Sequence, residues 1–74
     1  MKLLRETIFT FSSGETVVVE TIEIPKSKSF KTHIVGGPRD GLGHFYRDAC
    51  SALRGHTQLK AAIQKGVLWK PKKS

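Results

Sequence analysis

His44 and Asp48 stand four residues apart. On a helix that spacing sets a carboxylate beside an imidazole and would orient it as a general base. Cys50, the only thiol, falls on a different side of such a helix and so lacks the imidazole that would make it a nucleophile. His33, His56, Asp40 and Tyr46 complete the proton-moving candidates. They bring no two-His metal spacing and no Cys-His pair, and no second carboxylate accompanies His44 and Asp48. The plainer account is a helix-surface salt link and a small buried thiol. The sequence therefore predicts no catalysis, no metal and no cofactor.

A second candidate chemistry is anion binding. Residues 36–43 read Gly-Gly-Pro-Arg-Asp-Gly-Leu-Gly. A loop running from a strand into a helix aims backbone N–H groups and the positive helix end outward. Gly36 and Gly41 fit the glycines of a G-x-x-x-x-G frame, but Leu42 and Gly43 stand where a nucleotide loop needs Lys and Ser or Thr. The third glycine of a dinucleotide fingerprint is also missing from Gly41-Leu42-Gly43-His44-Phe45-Tyr46. Two readings remain: a turn that needs positive φ, or a phosphate contact assisted by Arg39 and Arg47.

The third chemistry is carried by charge. Thirteen Lys and Arg against six Asp and Glu leave the 74-residue chain at +7. The distribution is uneven: residues 1–25 hold two bases and four acids, whereas eleven bases face only Asp40 and Asp48 in the remainder. Such segregation points to polyanionic partners. Lys26, Lys28 and Lys31 alternate with Ser27, Ser29 and Phe30, a run that would straddle a phosphate backbone or protect a sheet edge from another chain. Trp69 beside Lys70, Lys72 and Lys73 combines a ring suited to closing a core with an arm suited to phosphates.

These groups need elements to hold them. Leu3–Phe11 and Thr16–Ile24 are rich in Thr, Val, Ile and Phe and flank a polar Ser-Ser-Gly-Glu turn, which reads as a β-hairpin. Pro25 ends the second strand, and Phe30–Val35 supplies a third, antiparallel because the connection is too short for a crossover. Phe45, Ala49, Ala52 and Leu53 then recur at helical spacing, and Gly55 reads as a stop. Thr57 would cap a second helix with Leu59, Ala62 and Ile63 inside and Gly66 at its end. Helix, turn and helix over 44–65, with Gln58, Lys60, Gln64 and Lys65 on the second, outline a groove-reading helix-turn-helix. Arg54 and His56, which bracket the turn, are ill suited to the burial that motif requires, and two helices packed on a sheet explain the pattern without DNA.

The predicted fold is α+β: a three-stranded antiparallel sheet, formed by the N-terminal hairpin plus a third strand, packed against one or two C-terminal helices. Residues 1–69 would form one small domain and 70–74 a flexible basic tail. The expected core is Leu4, Ile8, Phe11, Val18, Ile22, Ile24, Ile34, Phe45, Ala49, Leu53, Leu59, Ile63 and Trp69. The opposite hairpin register, with Phe9 and Phe11 together, fits the alternation equally well. A chain this short buries only about 60% of its unfolded surface, so its core is thin and a homodimer would enlarge it. The longest apolar runs reach three residues, excluding a membrane-spanning helix, and the N-terminus reads as folded structure rather than a leader. One cysteine suits a cytoplasmic location.

The expected function is binding of nucleic acid, DNA or RNA, mainly through its phosphate backbone. The expected contacts are Lys26, Lys28, Lys31, Arg39, Arg47, Arg54, Lys60 and Lys65, supported by Lys70, Lys72 and Lys73. The alternative is a small adaptor or inhibitor that binds an acidic protein surface or pairs through an exposed strand edge. A His-dependent nuclease is a third class and would need His44 or His56 to act.

Overall fold

A computed structural model of the chain describes residues 2–65. In chain order these form β1 (Lys2–Thr10), β2 (Thr16–Ile24), β3 (Ser29–Val35), β4 (Gly43–Tyr46) and α1 (Ala49–Lys65). The strands make one antiparallel sheet in the order β1-β2-β3-β4, and α1 packs across one face of it. The fold is α+β. Trp69, the Gly66 stop and the basic tail with Lys70, Lys72 and Lys73 lie outside the described residues. No helix among the described residues is long and apolar enough to cross a membrane.

The β-branched runs pair as their composition dictates, from Lys2 opposite Glu23 to Thr10 opposite Thr16, with one irregularity between Leu3 and Arg5. Pro25 then opens a single 3-10 turn, Pro25–Ser27, closed by Lys28 in the left-handed region at φ 49°. That turn reverses the chain into β3.

Among the described residues the sheet has four strands rather than three. Gly36, Gly37 and Gly41 all take positive φ, which turns the chain tightly enough for residues 43–46 to return along β3. The turn is closed by Gly41 N–H donating to Ile34 O (2.9 Å) and Ile34 N–H donating to Leu42 O (2.8 Å). The apparent helical stripe therefore starts four residues too early, because Phe45 belongs to a strand. With His44 in β4 and Asp48 beyond it, the helical His44–Asp48 pair does not exist. Asp48 instead caps α1: its Oδ1 accepts from the Ser51 N–H at 2.7 Å and its Oδ2 from the Ser51 hydroxyl at 3.0 Å. Replacing it by Ala should lower the melting temperature by a few degrees in a thermal scan at neutral pH, whereas Asp48→Asn should restore most of the loss.

Of the one or two helices expected, the described residues form one, and the break at Gly55 is not there. Gly55 does not stop it but lies buried within it against Tyr46, and the Thr57 hydroxyl donates back to Leu53 O (3.2 Å) instead of capping a new start. Residues 44–65 accordingly form no helix-turn-helix. The buried stripe is Ala52, Gly55, His56, Leu59 and Ala62.

Ile22 is buried as expected, but the hairpin turns toward α1 the face opposite to the one expected. Val17 and Val19 meet Ile34, Leu59 and Ala62 in the core, with Phe9, Leu42 and Ile63 packed against them. Ile8, Phe11 and Phe45, expected inside, are exposed, and Leu4, Val18, Ile24, Ala49 and Leu53 are only half-buried. The physical reason is that Thr21 and Thr32, read as polar, are fully buried on the helix side. Their hydroxyls are all satisfied, so burial is permitted.

Candidate nucleic-acid interface

The proton-moving candidates are dispersed. Asp40 Oδ1 accepts from the Gly36 N–H at 2.7 Å, so the glycine loop carries its own carboxylate, and it leads into β4 rather than a helix. The helix end that an anion site there required is absent. His33 Nε2 pairs with Glu20 Oε1 at 2.9 Å, and the His44 ring lies edge-on to Tyr46. Cys50 is exposed, not buried, with the Arg54 guanidinium 3.7 Å from its sulfur. No group of three or more His, Cys, Asp or Glu among the described residues is arranged to hold a metal.

His56 is the most constrained of them. It is 1% exposed and sits between two strands. The Thr32 hydroxyl donates to Ala52 O (2.9 Å), which spends its only proton, so it must accept from Thr21 (2.8 Å). Thr21 in turn accepts from His56 Nδ1–H (2.9 Å). That leaves Nε2 to accept from the Thr7 hydroxyl (2.8 Å). The chain of donors fixes one neutral tautomer; the ring ties α1 to β1 and β2, and Thr32 ties it to β3 through the Ala52 carbonyl. Burial, helped by the positive charges of Arg5 and Lys60, pushes its pKa down to about 4. This is a structural histidine.

The cations are more organised. Lys2 pairs opposite Glu23, Ile24 opposite Ser29 and Phe30 opposite Tyr46. The start of β1, the β2–β3 turn, the start of β3 and the end of β4 therefore share one end of the sheet. Antiparallel pairing thus gathers Lys2, Lys26, Lys28, Lys31 and Arg47 there, and α1 begins at the same end with Arg54 in its second turn. Lys26, Lys28, Arg47 and Arg54 are exposed, and Lys31 lays its ammonium over the Phe45 ring, 5.2 Å from the centroid. Lys2, Lys26, Lys28, Lys31 and Arg47 form no ion pair among the described residues, although Glu23 stands opposite Lys2 in the register.

Three predicted contacts fall elsewhere. Arg39 lines a pocket of about 300 Å³ with Phe11, Glu15, Pro38 and Ile63 at the opposite end, where Lys65 also ends α1. Lys60 stands between, near Arg5 and His56. Lys2 was missed by the charge pattern, since it lies in the acidic stretch of the chain. The signal was available in the hairpin itself, which returns the first residue of β1 to the last turn of β2. The chain matches no protein-family model, no curated protein and no solved structure.

Proposed function

We propose that this protein binds nucleic acid without catalysis, holding the phosphate backbone at the end of the sheet formed by Lys2, Lys26, Lys28, Lys31, Arg47 and Arg54. The supporting observation is the convergence of cations from four separate segments onto one end, five of them free of acidic partners among the described residues. Ammonium and guanidinium groups so placed displace counterions from a phosphate chain and read little sequence. An exposed free thiol at Cys50 fits a reducing compartment such as the cytoplasm.

The test is a salt titration. Contact with about six phosphates of duplex DNA gives a log-log slope near −5. Changing Lys26, Lys28 and Lys31 together to Ala should make the slope shallower by about 2 to 3, while Arg39→Ala and Lys65→Ala leave it unchanged. A salt-independent signal ends the proposal.

One observation favours the adaptor reading. β1 is an edge strand of nine residues whose outer side faces no other strand among the described residues. Capture of an acidic protein by a preparation free of nuclease-sensitive absorbance at 260 nm would select that reading.

A further inference from the structure

We infer that two copies of this chain pack face to face through the side of the sheet that α1 leaves open, about a two-fold axis parallel to the strands. The register defines that face. It carries Leu3, Glu6 and Ile8 from β1, Val18, Glu20 and Ile22 from β2, Lys31, His33 and Val35 from β3, and Phe45 from β4. Of the five large apolar side chains left exposed among the described residues, Leu3 (49%), Ile8 (59%), Val35 (44%) and Phe45 (58%) all lie on it. A small domain does not gather its exposed apolar groups on one face by chance. Edge-to-edge pairing through β1 would use only backbone groups and leave these four side chains in water.

Charge selects the occupant and the axis. The face is acidic on its β1–β2 half, with Glu6 and Glu20, and basic on its β3–β4 half, with Lys31 and His33. Glu6 and Glu20 stand directly opposite each other as a like-charge pair, and within one copy Glu20 Oε1 accepts from His33 Nε2 at 2.9 Å. Rotation about an axis along the strands lays β1 over β4 and β2 over β3 of the second copy. Leu3 then meets Phe45, Val18 meets Val35, and Glu20 meets His33 of the second copy. The other axis within the plane stacks β1 on β1 and β2 on β2, which sets Glu6 and Glu20 against themselves. The first orientation sets Glu6 beside Gly43 and lays the Lys31 stem against Ile22, so of the two it is the one free of like-charge contacts.

Size agrees with this. The molecule is 16 Å thick and 38 × 24 Å across, so its broad side is of the order of the roughly 800 Å² that each partner of a stable dimer buries. The stacking is that of an aligned β-sandwich. The same axis carries the Lys26–Lys28 ends of both copies to one side, so Lys2, Lys26, Lys28 and Arg47 of both copies would line one cationic surface while Lys31 is taken into the interface. Only that last consequence rests on the nucleic-acid reading. The interface itself does not.

The full chain, measured by sedimentation at micromolar concentration in nucleic-acid-free buffer, should have the mass of a dimer. Phe45→Glu and, separately, Val35→Glu should each raise the dissociation constant about a hundredfold, with helicity retained by circular dichroism. In a Cys50→Ser background, a mixture of Val18→Cys and Val35→Cys chains should form an intermolecular disulfide faster than Glu6→Cys chains alone. A monomeric parent, a dimer unmoved by either folded glutamate variant, or preferential cross-linking of Glu6→Cys overturns the inference. Loss of nucleic-acid binding with the dimer intact would count only against the proposed function.

Discussion

Replacing His56 by Ala should cost about 3 to 4 kcal/mol of folding free energy, the sum of a core cavity and two hydroxyls stripped of their partners, one fully and one partly buried. For a domain this small that is most of the available stability. Thr7 and Thr21 are the hydroxyls concerned, each bonded directly to a ring nitrogen. The loss should be read from urea midpoints and from the amide protection of α1, which is tied to the sheet through this ring. A loss below about 1 kcal/mol would mean that the threonine network does not hold the helix.

The same ring makes the unaltered protein sensitive to acid. His56 has its pKa pushed from 6.5 to about 4 by burial, then by Arg5 and Lys60. Below about 6.5 the unfolded chain binds a proton that the folded chain refuses until about pH 4, so stability falls as pH falls through that window. At 1.36 kcal/mol per pKa unit the loss totals about 3 kcal/mol, or roughly 15 °C in melting temperature for a domain of this length. Thermal melts between neutral pH and pH 4.5 measure it. A variant with a non-titrating apolar side chain, His56→Leu, should show a flatter profile than the parent. Asp48 acts separately: the Ser51 hydrogen bonds hold its carboxyl below the ordinary range, so its contribution persists through this window and disappears only at lower pH.

Gly55→Ala carries the second large effect, and with the opposite sign to ordinary expectation. In an exposed helix interior the change gains about 1 kcal/mol. Here a Cβ at position 55 would fall on the hydroxyl and ring of Tyr46, so the ring must leave its site or α1 must lift from β4. The net result should be a loss of about 2 kcal/mol. Tyr46→Ala should remove the obstacle, so the double variant should be no less stable than Tyr46→Ala alone, a coupling visible in a double-mutant cycle by chemical denaturation. The Tyr46 hydroxyl is itself buried without a partner among the described residues, and burial pushes its pKa up. Phe at this position should therefore be tolerated. Gly55→Ala behaving as a stabilising change would show that α1 does not seat against Tyr46.

Local chemistry made much of the fold legible. Strand propensity and the Ser-Ser-Gly-Glu turn located the hairpin, Pro25 marked its end, and Ser29–Val35 followed as a strand. The short connection also required antiparallel pairing. The helix was legible over its second half, where Leu59, Ala62 and Ile63 face the core as their spacing predicts. Its first half was misread for an identifiable reason. Phe45 lies four residues before Ala49, so an aromatic strand residue imitated the first turn of a helix, and Gly55 imitated its stop.

The site was legible only as a tally of charge. Lys26, Lys28 and Lys31 sit close together in the chain, and their grouping needed no structure. That Arg47, Arg54 and Lys2 join them, while Arg39 and Lys65 go to the far end, depends on strand order and on the direction in which α1 crosses the sheet. Likewise, a period of two in β2 fits either face, because Val17, Val19 and Thr21 compete with Val18, Ile22 and Ile24 on nearly equal terms.

Sequence by itself determined the pieces: which segments extend, where proline and glycine turn them, and that positive charge gathers after residue 25. Those properties follow from backbone sterics and formal charge, which act over a few residues. Tertiary structure alone decided which face of the hairpin is covered, that His56 is a buried clasp between α1 and the hairpin, and which cations share one end. Each of these turns on a contact between residues far apart in the chain, such as Thr7 with His56 across 49 positions. The energy of such a contact depends on its geometry, and that geometry exists only once the sheet and helix have met.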